Sequence, residues 1–81
     1  MNDPLKYVIV GEEYLPLVIV FDPILDHKEV ASRRKVLSAG FCRLHNDLNP
    51  KASAWGKSVA LGIESRGEVD AEIITRRFKS C

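Results

Sequence analysis

At 81 residues, 46% hydrophobic and 28% charged, the chain has room for one folded domain (1–81) with a single core, and its composition excludes disorder. The net charge of +1 excludes a long-range field that would gather a polyanion or a membrane. Two cysteines, Cys42 and Cys81, are too few for a disulfide framework and fit a cytoplasmic setting; Leu15 to Phe21, the longest apolar run, is interrupted by Pro16 and is too short to span a membrane, and the start does not read as a signal peptide.

Tyr7 to Val10 is a run of β-formers, and Gly11-Glu12-Glu13 reads as a turn before a second run from Tyr14 to Phe21. The pair predicts a hairpin. The second run does not alternate, which predicts a strand covered on both faces or lying mid-sheet; Asp22-Pro23 ends it. Asp26 followed by Glu29 has the spacing of a capping box and predicts a helix from Asp26 to about Arg34. Val36 to His45 predicts a strand with Val36, Ser38, Gly40, Cys42 and Leu44 on one side and Leu37, Ala39, Phe41 and Arg43 on the other. Asn46 to Pro50 is rich in turn formers.

From Trp55 to Ile63 bulky residues alternate with Gly56, Ser58, Ala60 and Gly62, which predicts a fourth strand with one small-residue face open to a helix or a second chain. Ser65 and Glu68 form a second capping box. Beyond it Val69, Ile73, Ile74 and Phe78 fall at helical spacing, with Asp70, Glu72, Arg76 and Arg77 mostly outward. The expected fold is α+β, strand-strand-helix-strand-strand-helix, a four-stranded sheet with both helices on one face.

Little in this pattern carries catalysis. Gly56-Lys57-Ser58 ends like a phosphate-binding loop, but position 51 is lysine where such a loop needs glycine, and a strand rather than a helix is expected after it. Ser65-Arg66-Gly67, ahead of the last helix, offers free amides, yet the helix supplies its own cap and acid. His27 with Asp22 and Asp26 lacks the spacing of a metal site, and His45 stands in a turn region with Asp47. Cys42 and His45, three apart on a strand, point to opposite faces and make no nucleophile and base pair.

Two basic clusters, Arg33-Arg34-Lys35 and Arg76-Arg77-Phe78-Lys79, each follow or end a helix, where they complement its dipole. With both helices on one face, Arg33, Arg34, Arg76 and Arg77 would form one patch for nucleic-acid phosphates. Trp55, at a strand start, reads either as a plug for the core or as an anchor for a partner, with Ser58 and Ala60 beside it on the same strand.

Ser38-Ala39-Gly40-Phe41, Gly56-Lys57-Ser58-Val59-Ala60-Leu61-Gly62, Ser65-Arg66 and Asp70-Ala71-Glu72-Ile73-Ile74 together resemble a group of small proteins of tailed phages and prophages with a SAGF, GxSxSLG, SRxxDA pattern. Ala60 stands where that pattern has a second serine. The resemblance covers Ser38 to Ile74 and implies an intracellular accessory protein; it transfers no catalytic residue.

The sequence therefore predicts a non-catalytic interaction module, without cofactor, metal or small-molecule substrate and without a membrane, that self-associates or binds another protein. The alternative is a nucleic-acid accessory protein using the two basic clusters. A domain this small buries only about 60% of its unfolded surface, so a partner is an economical source of stability.

Overall fold

The computed structural model describes residues 4–45 and 51–79. The turn expected at 46–50, and Cys81, lie outside the described residues. The first two strands, β1 (Leu5–Glu12) and β2 (Leu15–Phe21), form the expected antiparallel hairpin with Glu12 opposite Leu15, so the connection is Glu13-Tyr14 rather than Gly11 to Glu13. Gly11 is instead a strand residue at φ +100°, with its amide donated to the Lys35 carbonyl at 2.9 Å. Its conformation, not a chain reversal, is what required glycine there.

α1 (His27–Ala31) is shorter than expected because the chain leaves the helix at Ser32, at φ +54°. Its capping box forms, Glu29 Oε1 accepting from the Asp26 amide at 3.2 Å. β3 (Val36–His45) then pairs antiparallel with β1 on the side away from β2, and β4 (Lys51–Trp55) pairs antiparallel with β3. The sheet order is β2-β1-β3-β4.

The central position belongs to β1. Tyr7, Val8, Ile9 and Val10 are all buried, as four consecutive strand residues can be only where both faces are covered. The expectation of two covered faces had fallen on the next strand, β2, which is an edge and buries only Val18.

Alternation along β1 also separates the two cores. Tyr7 and Ile9 pack with Val18, Cys42 and Ala52; Val8 and Val10 pack with Ala39 and with Ala31 of α1. The last helix, α2 (Glu68–Lys79), places Ile74 in the first of these clusters, so the two helices cover opposite faces of the sheet and not one. A bulge opposite Ile9 and Val10 inserts Leu37 into β3 and lets it join the α2 side.

The expected strand from Trp55 to Ile63 is broken. β4 stops at Trp55, Gly56 turns at φ +81°, and a small hairpin follows, β5 (Lys57–Ser58) and β6 (Ile63–Glu64). Ser58 is buried and closes the reversal: its carbonyl accepts from the Gly62 amide at 2.8 Å and its hydroxyl from the Leu61 amide at 3.2 Å. Gly56, Ser58, Ala60 and Gly62 therefore share no strand face. Two glycines at positive φ, at 56 and 62, outweigh the alternating pattern.

α2 is rotated from the expected setting. Asp70 is fully buried, whereas Val69 and Phe78 are exposed. The second capping box is also rearranged: Ser65 Oγ accepts from the Gly67 amide at 3.0 Å, and Asp70, not Glu68, takes the Arg66 amide at 2.9 Å. Thr75 fixes the helix to the edge strand, its hydroxyl donating to the Ala71 carbonyl at 2.7 Å and accepting from the Ala52 amide at 2.9 Å.

Candidate functional site

The densest polar constellation surrounds Asp70. Its Oδ2 accepts from Tyr7 Oη at 2.5 Å and from the Arg66 amide, and its Oδ1 accepts from Ser38 Oγ and Arg66 Nε, both at 2.9 Å. Tyr7 Oη also lies 2.7 Å from Ser65 Oγ. Outward from this group, Arg66 Nη1 bridges both carboxylate oxygens of Glu13 at 2.8 and 2.9 Å. Strand alternation brings Tyr7 and Ser38 to the same face, and the first turn of α2 lowers Asp70 onto them.

The electrostatics are those of a sealed pair. Burial pushes the Tyr7 hydroxyl well above its usual range, and its bond to Asp70 pushes it further. Partial burial works against the charged form of Arg66, but Glu13 and Asp70 outweigh it and hold the guanidinium more firmly protonated than usual. Tyr7, Ser38 and Asp70 have no exposed surface. This cluster holds α2 and the β1–β2 turn to the sheet.

The other titratable candidates are likewise occupied. His27 is buried edge-on between Phe21 and Phe41, and its Nε2 donates to the Gly40 carbonyl at 2.8 Å. Asp22 does not join it, accepting instead from the Ile24 amide at 2.9 Å. Cys42 is buried on the α2 face, where desolvation pushes its thiol up to about 11, and it makes no pair with His45, which lies 3.0 Å from Ser53 Oγ. Among the described residues no group of three His, Cys, Asp or Glu side chains is placed to hold a metal ion.

The basic clusters are not brought together. Arg33 and Arg34 follow α1 while Arg76 and Arg77 end α2, on opposite sides of the sheet, so the single phosphate patch does not form. Arg34 Nη1 approaches the Val30 carbonyl at 3.4 Å, Arg76 pairs with Glu72 at 2.9 Å, and Arg76 and Arg77 flank a shallow groove with Pro16, Val18 and Ile73. Of the partner residues expected around Trp55, Ser58 is spent on its turn and Ala60 lies at the exposed tip of the β5–β6 hairpin. Trp55 itself is 39% exposed.

Two accessible surfaces emerge, one that the sequence reading missed and one that it touched only at Trp55. One is the β2 edge of the sheet, with Tyr14, Leu15 and Leu17 exposed. The other is the stretch of sheet beside Trp55, where the Arg43 guanidinium lies 5.6 Å from the indole centroid. The first could have been found from the uncharged run Tyr14 to Phe21 once it was known to be an edge; the second depends on the β3–β4 register. No helix of the described residues is long and apolar enough to cross a membrane. No protein-family model, curated protein or solved structure matches the chain.

Proposed function

We propose that the protein is a non-catalytic interaction module that self-associates through β2, two copies pairing their open strand edges antiparallel about a two-fold axis. The observation that carries this reading is the edge itself. From Tyr14 to Phe21 it has no charged residue, and Leu15 and Leu17 are 74% and 48% exposed. Edge strands left to solvent are ordinarily blunted by lysine, a bulge or an inward charge. Here only Pro16, near the start of the strand, removes a donor.

The opposite edge of the sheet supports the contrast, because Thr75 occupies the Ala52 amide of β4 and α2 packs over that strand. A second copy is the favoured occupant because a two-fold antiparallel pairing sets uncharged residues against uncharged ones along the whole strand, and no charge is desolvated. The resemblance of Ser38 to Ile74 to phage and prophage proteins supports an accessory role of that origin in the cytoplasm.

Sedimentation velocity over a concentration series tests the proposal. The wild-type chain is expected to dimerise, and Leu17→Lys to remain monomeric with an unchanged circular dichroism spectrum. A wild-type chain that stays monomeric up to millimolar concentration removes self-association.

A further inference from the structure

α1 is five residues long and packs against β1, and the β5–β6 hairpin packs beside β3 with Leu61 and Ile63 joining the same cluster; among the described residues no helix lies over the outer part of this face, at the end of β3 and over β4. The cross-strand pairs there are Phe41 with Trp55, Arg43 with Ser53, and His45 with Lys51. These six residues include two cations and no carboxylate. Arg43 is anchored, its Nε buried without an acceptor among the described residues and its guanidinium over the indole of Trp55. The acids at the other end of this face are engaged locally, Asp22 with the Ile24 amide and Glu29 with the Asp26 amide.

We propose that this surface binds single-stranded nucleic acid, with Trp55 as the base-stacking platform and Arg43 and Lys51 as phosphate contacts. An exposed aromatic ring beside cations that have no carboxylate partner among the described residues is the combination that single-strand binding uses, stacking being tolerant of sequence and the cations tracking the backbone. Successive pairs along the strands are about 7 Å apart, so Trp55, Arg43 and the His45–Lys51 pair present planar and cationic groups in steps within reach of one nucleotide. An acidic peptide fits less well. The backbone groups of β3 here are committed to ladders and the Ala52 amide on the outer side of β4 is taken by Thr75, so the face offers a peptide charge but little free backbone to pair with. The site is separate from the β2 edge and independent of self-association.

Trp55 is the only tryptophan, so its fluorescence reports on the site directly. The chain is titrated at low salt with a mixed-sequence single-stranded DNA, the same sequence as RNA, its duplex, and poly-glutamate. Quenching by the single strands is expected, with log K falling against log salt at a slope of about −1.4 for two phosphates. By anisotropy of a labelled strand, Trp55→Leu should weaken binding about tenfold or more. Arg43→Gln combined with Lys51→Gln, which leaves the aromatic pair in place, should weaken binding and abolish most of the salt dependence. Arg76→Gln combined with Arg77→Gln should change neither. Absence of binding to any strand, a preference for duplex, an equal response to poly-glutamate, or loss only in the α2 variants would each overturn the proposal.

Discussion

Asp70 has no exposed surface, and four donors converge on its two oxygens. Truncating it removes the acceptor of all four, the Arg66 Nε among them, so the cost is that of breaking a buried charge pair. Asp70→Ala is expected to lose about 3–5 kcal/mol in urea unfolding. Tyr7→Phe removes one donor from the carboxylate and should lose about 1.5–3 kcal/mol. Because the two residues share one bond, the double variant should fall short of the sum, and strict additivity would show that the hydroxyl and carboxylate are not coupled. Ser38→Ala should behave like a milder Tyr7→Phe. None of this was legible beforehand: Asp70 lies in an acidic first turn where exposure is the ordinary outcome, and only the tertiary approach of Tyr7, Ser38 and Arg66 makes burial tolerable.

At the scale of elements, local chemistry was a good guide where it acted within a few residues and a poor one where it competed with long-range pairing. The capping residue Asp26, the hairpin and the strand Val36 to His45 were readable because caps, turns and alternation are local. The fourth strand was misplaced by alternation from Trp55 to Ile63 that belongs to the end of β4 and to the β5–β6 hairpin with its turn. Gly40 shows what the break at Gly56 accommodates. A Cβ on Gly40 would sit 2.5 Å from the Trp55 carbonyl oxygen and 3.0 Å from Ser65 Cβ. The chain leaving β4 and the chain entering α2 thus both pass over this one residue, and the first obstacle is backbone that cannot rotate away. Gly40→Ala is expected to cost about 1–3 kcal/mol. The urea midpoint measures it, and an unchanged midpoint would mean that the Trp55–Gly56 junction yields freely.

For the whole molecule, the class and the four-stranded sheet followed from composition and periodicity, but the order β2-β1-β3-β4 and the placing of the helices on opposite faces did not. Those depend on which apolar run becomes central, and Tyr7 to Val10 differs little in composition from Val18 to Phe21. The central choice buries Tyr7 and, beside it through β3, Cys42, so the global stability of the molecule becomes tied to keeping two weak acids protonated. In the unfolded chain the thiol ionises near its ordinary 9.0 and the phenol near 10.0, whereas folding pushes Cys42 up to about 11 and Tyr7 upward beyond its usual range. Both native values are raised, so the stabilisation is fully present below pH 9 and is lost as pH rises from there, each group contributing up to about 1.4 kcal/mol per pH unit while it is ionised only in the unfolded chain. Urea midpoints should therefore hold level from pH 7 to 9 on account of these groups and then fall. Cys42→Ala should remove the part of the fall that begins near 9, and Tyr7→Phe the part that begins near 10. A wild-type midpoint that does not change to pH 11 would mean that neither group is shielded from solvent, and with it that the α2 side of the sheet is not a closed core.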